Sequence, residues 1–404
     1  MVNQYVGSIQ ITERRAYCAI GRIGTPDAFL AHSGVPTVQI ERIGVFALEG
    51  RKTREPRNPS MVSPTIGMLP NTPEGVVQGA LGWLLKQVTR EELKAVVIGC
   101  YGSFRSLIVG DEAYGTLANI NVEADSPWRD SSICKIASTY LDREGCNTIL
   151  RFQTDVNLAA LGEGWTRGLR FARSHKPTTK RNRLVQERDF QESSLVYLKI
   201  SQSVNGGITK GGEIFQGCHH SVMGASKPRR YRAGQYVDLF DGCCEIHKDC
   251  IEGLVNVDAL EVRTGMVFSE ITADNKVWDL VAYYVARLCA IATSILAPTR
   301  IILGGRIIED VPAGVDMLNM TRYHFLQAIS GARPGSPEFW QARARHFSVE
   351  HNRNPDYEAI GRFANFIQRR RHPAPGNYGG LILAERLVHK SARDELLDLT
   401  NTQS

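Results

Sequence analysis

Two stretches of this chain place reactive side chains at intervals that suit a defined chemistry. The first is Arg151-Phe-Gln-Thr-Asp-Val-Asn-Leu-Ala-Ala-Leu-Gly-Glu163, where a short apolar run meets a carboxylate and then becomes an Ala/Leu-rich helical pattern. Thr154 is placed to cap that helix. Asp155 and Asn157 fall in its first turn, where free amides and the helix dipole favour negative charge. A carboxylate held there stays ionised and can take a proton from an alcohol. The second stretch is Cys244-Glu-Ile-His-Lys-Asp-Cys250. Cys244, His247 and Cys250 offer two thiolates and an imidazole at three-residue spacings, which suits tetrahedral zinc. The fourth ligand is open: Cys218, His219, His220, Cys243 or water could supply it. The alternative is a set of reduced thiols beside a surface histidine.

Periodicity shows which strands and helices carry these side chains. Residues 4–21 alternate apolar and polar and then meet Gly21, which suits a first hairpin turning there. Residues 74–88 have a helical pattern, and 94–100 read as a buried strand. A new half begins with a strand at Ser194–Ile200, and a helix at 277–296 runs into a strand at Arg300–Gly304. Strands followed by helices in both halves argue for a duplicated α/β protein with a cleft between its lobes. Three segments lack periodicity and carry clustered basic residues: 37–66, 166–190 and about 331–358. They read as solvated loops in preference to docking sites for an acidic partner.

Composition narrows the class. A chain of 404 residues with 43% hydrophobic content can bury a core for roughly two domains. The net charge of +6 is mild and its positive residues bunch locally, so no nucleic-acid partner is expected. The first residues lack the basic and apolar pattern of a secretory signal. The apolar run Val277–Leu296 contains Asp279 and Arg287, so it reads as a buried helix and no membrane partner is expected. Nine cysteines without a framework of short spacings suggest reduced thiols and a cytoplasmic location.

The block around Asp155 resembles the catalytic segment of the ROK family (repressors, open reading frames, sugar kinases), its zinc-containing bacterial fructokinase branch most of all. Further elements occur in the same order. Gly99-Cys-Tyr-Gly-Ser, Tyr114-Gly115 and Pro127-Trp128 are similar to the sugar-side F-G-P, Y-G and P-K-P-G-W elements, with Asp125 in place of the lysine. Pro298–Gly305 resembles the strand and glycine turn that contact adenosine, and Pro375–Ala384 the closing helix of the nucleotide lobe. Cys244–Leu254 resembles the family's zinc element. The resemblance implies a two-lobed, ribonuclease H-like (actin/hexokinase-type) α/β fold with a central cleft. Its lobes would be 1–150, with the insertion 37–66, and 151–385, with the basic insertion 166–190 and a zinc-like loop at 218–254. A tail would occupy 386–404.

The resemblance also implies roles. Asp155 would be the general base of an ATP- and Mg2+-dependent hexose kinase, with fructose the leading substrate. Asn121, Glu123, Asn157 and His220 would face the sugar. Thr12, Arg14, Arg15, Gly206, Gly207, Gly304 and Gly305 would face the nucleotide, and a homodimer would form through the lobe carrying the zinc loop. Four departures stand out. The first phosphate loop reads Gln10-Ile-Thr-Glu-Arg-Arg15, without glycine and with Gln10 for the acid; the second reads Ser201-Gln-Ser-Val-Asn-Gly-Gly207. Val222 replaces a sugar-gripping glutamate, and Ala225 replaces the fourth zinc ligand. These departures support an alternative, a catalytically impaired pseudokinase that binds sugar and acts as a regulatory or accessory protein.

Overall fold

The computed structural model describes residues 4–24, 36–50, 65–118, 126–174, 193–217, 219–330 and 366–401. Asn121, Glu123, Asp125, Cys218, most of the segment 166–190 and the whole of 331–358 lie outside them. The chain divides into two compact units. Unit 1 comprises Met1–Glu192, Gly207–His220 and Arg371–Ser404; unit 2 comprises Ser193–Gly206 and Ser221–Arg370. The boundary expected at residues 150–151 lies inside a strand of unit 1.

In unit 1, β1 (Tyr5–Ile11) pairs antiparallel with β2 (Arg15–Arg22), and the chain reverses at Thr12–Arg14 instead of at Gly21. Gly21 stands inside β2 opposite Val6, at a register shift against the next strand. A side chain there would collide with Val38 and Leu381, so this glycine serves close packing and not a turn. The segment 37–66 is not wholly irregular: β3 (Gln39–Leu48) and the start of β4 (Thr65–Leu69) lie within it. The first half of β3 is mostly exposed and only its second half is well buried, which is why no alternation marked it. After α1 (Pro73–Gln87), β5 (Leu93–Cys100), α2 (Ile133–Arg143) and β6 (Ile149–Thr154), the sheet has the order β4-β3-β2-β1-β5-β6. β1, β5 and β6 run parallel.

Alternation along these strands fills both faces. Ile9, Ile11, Val96 and Ile98 join residues of α1 and α2 such as Leu81, Leu84 and Ile133. Val6, Ala95 and Val97 join Leu158, Leu161 and Trp165 of α3 (Asp155–Ser174) and Leu381 and Ile382 of α9 (Pro375–Asn401). α3 carries the start of the expected insertion at 166 as regular helix, and α9 carries the expected tail. The two helices meet backbone to backbone: a Cβ at Gly162 would strike the Pro375 carbonyl, and one at Gly379 the Leu158 carbonyl. Beside this crossing Glu163 is fully buried, and its carboxylate accepts the N–H groups of Arg371 (2.7 Å) and His372 (2.8 Å).

The second sheet has the order β13-β12-β7-β8-β9. Its strands are β7 (Ser194–Ile200), β8 (Val204–Lys210), β9 (Glu213–Ile214), β12 (Arg300–Gly304) and β13 (Ile367–Arg369), and the unit boundary falls within β8. Unit 2 adds a small hairpin of β10 (Arg232–Ala233) and β11 (Tyr236–Val237). Its helices are α4 (Ile251–Val255), α5 (Val257–Thr264), α6 (Val277–Leu296), α7 (Arg306–Glu309) and α8 (Met317–Ser330). By length and composition α6 could cross a membrane. Here Trp278, Tyr284, Leu288 and Cys289 on it are buried, and Asp279 is paired with His324 (2.8 Å) and the Tyr231 hydroxyl (2.6 Å). It is a core helix, as its two charges led one to expect.

Candidate active site

Asp155 opens α3 at the point where β6 ends, half-buried in the first helical turn. That turn is braced from several directions. Thr154 Oγ1 accepts the Asn157 N–H at 3.2 Å, the expected cap. Gln153 Oε1 accepts the Thr154 N–H at 2.8 Å and an Asn157 Nδ2 hydrogen at 3.0 Å. Asn157 Nδ2 also donates to Gln216 Oε1 at 3.0 Å, so its amide hydrogens are engaged in bracing. Gly207 passes so close that a Cβ would strike the Val156 carbonyl. The backbone that carries Asp155 is thus braced at the head of a 20-residue helix, where the free amides of the first turn favour negative charge.

His220 also belongs to unit 1. Its Nδ1 accepts the Phe104 N–H at 3.5 Å, and its ring meets Phe104 edge-on, with Phe104 packed on Phe152 at 4.7 Å. An accepting Nδ1 puts the proton of the neutral ring on Nε2. That atom is buried and has no hydrogen-bond partner among the described residues. Burial, and secondarily the neighbouring His219, holds the imidazole pKa below its ordinary value. Tyr114 braces the same region: its hydroxyl donates to the Phe152 carbonyl (2.8 Å) and accepts the Phe152 N–H (2.9 Å). Trp128 donates through Nε1 to the Asn71 carbonyl at 3.2 Å.

The expected nucleotide residues fall into three turns. Between β1 and β2 the Thr12 hydroxyl donates to the Arg15 carbonyl (2.9 Å) and accepts the Arg15 N–H (3.1 Å). A side chain thus closes the turn where the resemblance implies glycine. Arg14 gives its carbonyl to the Leu48 N–H at 3.1 Å. Gln10 is buried beside Gly99 and Gly376; its Nε2 donates to Ser8 Oγ at 3.4 Å, while its Oε1 has no partner among the described residues. In the second turn the Ser201 N–H donates to the Ser203 carbonyl (3.0 Å), and Gly206 packs on Met223 without room for a Cβ. In the third, Gly305 has φ +98° and lies against the Ile200 carbonyl, while Gly304 touches the Tyr197 hydroxyl. Arg306 begins α7, stacks over Phe268 and pairs with Asp310 at 3.6 Å.

The ligand atoms of Cys244, His247 and Cys250 lie within 4.8 Å of one another. Among the described residues no fourth His, Cys, Asp or Glu joins the group, and Ala225 ends a short 3-10 turn that offers no donor. Cys244 Sγ lies 3.8 Å from His247 Nδ1 and accepts the His247 N–H at 3.4 Å; Cys250 Sγ accepts the Gly253 N–H at 3.5 Å. Burial pushes the Cys250 thiol up to about 12 despite the Gly253 N–H, with Cys244 adding to the rise, so a cation is what would hold it as thiolate. Two sulfurs and an imidazole at this separation fit three corners of a zinc tetrahedron. The loop is also pinned without metal, by Asp249 to Lys227 (2.9 Å) and Arg230 (3.2 Å).

Several residues that matter here were not singled out in the sequence. Gln153 directly precedes the T-D-V-N block, and Glu252 lies inside the zinc-like element, so both had a positional signal. Gln216 had none, because its partner Asn157 is 59 residues away.

Similarity to known proteins agrees with this geometry. The profile described as ROK family matches residues 183–342. A fructokinase of Lactococcus lactis subsp. cremoris is 27% identical over 253 residues, covering 63% of this chain and 74% of that protein. The ROK hexokinase of Thermus thermophilus superposes with a TM-score of 0.53 at 16% identity, over 96% of this chain and 100% of that one. A ROK family glucokinase of Streptomyces griseus, solved with glucose and AMPPNP, gives 0.52 at 16% identity over 95% and 99%. Residues 183–342 thus match the ROK family, and the chain shares the α/β fold of these solved ROK kinases.

Proposed function

We propose that this protein is an ATP-dependent hexose kinase with fructose as its leading substrate. The observation that carries the reading is the place of Asp155 at the head of α3, in a turn whose backbone is braced by Thr154, Gln153 and Gly207. In the proposed step Asp155 takes the proton of a sugar hydroxyl, that oxygen attacks the γ-phosphorus of ATP, and the bond to ADP breaks in line. His220 would present its Nε2 hydrogen to the sugar, together with Asn121 and Glu123. Thr12, Arg14, Arg15, Gly206, Gly207, Gly304 and Gly305 would line the nucleotide side, and Mg2+ would arrive on the ATP phosphates. Zinc on Cys244, His247 and Cys250 would stiffen the loop that carries them. A cytoplasmic homodimer completes the reading. Support comes from the fructokinase relative and from the glucokinase whose structure holds glucose and AMPPNP.

One observation favours a second reading, a sugar-binding regulator without turnover. The β1–β2 turn has no glycine, engages its Thr12 hydroxyl internally and follows Gln10 in place of an acid. Removing one charge-assisted hydrogen bond from a transition state costs about 2.7–4 kcal/mol. Calorimetric titration with Mg-ATP, with and without fructose, separates the two. The kinase reading expects nucleotide binding and sugar phosphate as product; sugar binding alone would favour the regulator.

A further inference from the structure

Glu252 sits in the first turn of α4, two residues beyond Cys250, and its Oε2 accepts the Val204 N–H at 2.8 Å. Cys250 is the cap of that helix, with its sulfur on the Gly253 N–H. Val204 closes the turn that starts at Ser201, the stretch assigned above to nucleotide phosphates. The same turn is held at two more points. The Val257 N–H donates to the Ser201 carbonyl at 3.1 Å, and Gly224 lies against the Val204 carbonyl with no space for a Cβ. Glu252, Val257 and Gly224 therefore together hold the turn at Ser201 and Val204.

We propose that Glu252 is a positioning residue that fixes the 201–206 turn for phosphate binding, and that through it metal occupancy at Cys244, His247 and Cys250 is coupled to nucleotide affinity. The inference rests on the reading of 201–206 as a phosphate turn. A backbone turn binds phosphate well only when its amides are oriented in advance, and a carboxylate holding one of its N–H groups makes a charge-assisted brace. Because Cys250 caps α4, a cation that fixes this sulfur also fixes the start of the helix carrying the brace. Linkage then requires nucleotide to tighten the metal by the same factor.

The test is calorimetric titration of Mg-AMPPNP into the full-length protein, zinc-loaded and chelator-treated, for wild type, Glu252→Ala and Glu252→Gln, with zinc content and thermal melts alongside. Glu252→Ala is expected to raise the nucleotide Kd about tenfold, the scale of one hydrogen bond to a charged group. Glu252→Gln, which keeps an acceptor oxygen, should recover most of it. Chelation should weaken wild type to a similar degree and add little in Glu252→Ala. Equal Kd values for folded wild type and Glu252→Ala would overturn the positioning role. Equal Kd values with and without zinc in wild type would overturn the coupling, and that arm stands even where Glu252→Ala does not fold. Wild type that binds no nucleotide in either state would overturn the nucleotide reading of the turn instead.

Discussion

At Asp238 burial and pairing oppose each other. Burial would raise the carboxyl pKa, but Arg263 makes two hydrogen bonds to it at 2.9 Å and the Tyr284 hydroxyl a third at 2.6 Å, and the result is a lowered pKa. A carboxylate depressed in the fold stabilises it above the ordinary value of 3.8, and the stability is lost as pH falls through the folded value. Asp238→Asn leaves Arg263, only 7% exposed, without a counter-charge. Urea unfolding should show a loss of about 3–5 kcal/mol at neutral pH. His220 has the opposite charge logic. Its imidazole is held below the ordinary 6.5, so folding disfavours its protonation and stability should decline as pH falls below that value. Melting curves from about pH 5 to 8 should show a smaller acid decline in His220→Gln than in wild type.

Among the elements, α3 carries the greatest constraint. A Cβ at Gly207 meets the backbone of its first turn, and one at Gly162 meets the Pro375 carbonyl of α9. Gly207→Ala and Gly162→Ala should each lose about 1–3 kcal/mol in urea unfolding, whereas Gly145→Ala, where a Cβ meets nothing within 4 Å, tests only the strain of its φ of +66°. The sequence made some elements plain and hid others for physical reasons. α6, β7 and β12 have unbroken apolar or periodic runs, and their limits match the structure. β3 was hidden because half of it faces solvent. The first hairpin turn was misplaced because Gly21 reads as a turn residue, while Thr12 closes the real turn with its side chain.

For the molecule as a whole, the order of motifs along the chain was enough to foresee the fold, because each motif marks a strand end or helix start. What stayed hidden were bonds across long separations, which leave no local pattern. Glu385 accepts the Thr37 N–H at 2.8 Å across 348 residues, and Glu163 holds the approach to α9 across more than 200. The metal loop is a case where spacing alone was legible: three donors converge as their positions implied. Ala225→His should raise zinc affinity and Cys244→Ser should lower zinc content, as read by competition with a chromogenic chelator.

The kinase reading of this protein depends on Asp155 driving phosphate transfer to a sugar. The decisive experiment is ATP-dependent formation of sugar phosphate from fructose and a panel of hexoses, in wild type and in Asp155→Asn. Wild type should turn over, and the variant should fall by about 10²–10⁴-fold with its melting temperature kept. A wild type inert on every hexose, or a variant that keeps the wild-type rate, would refute that role.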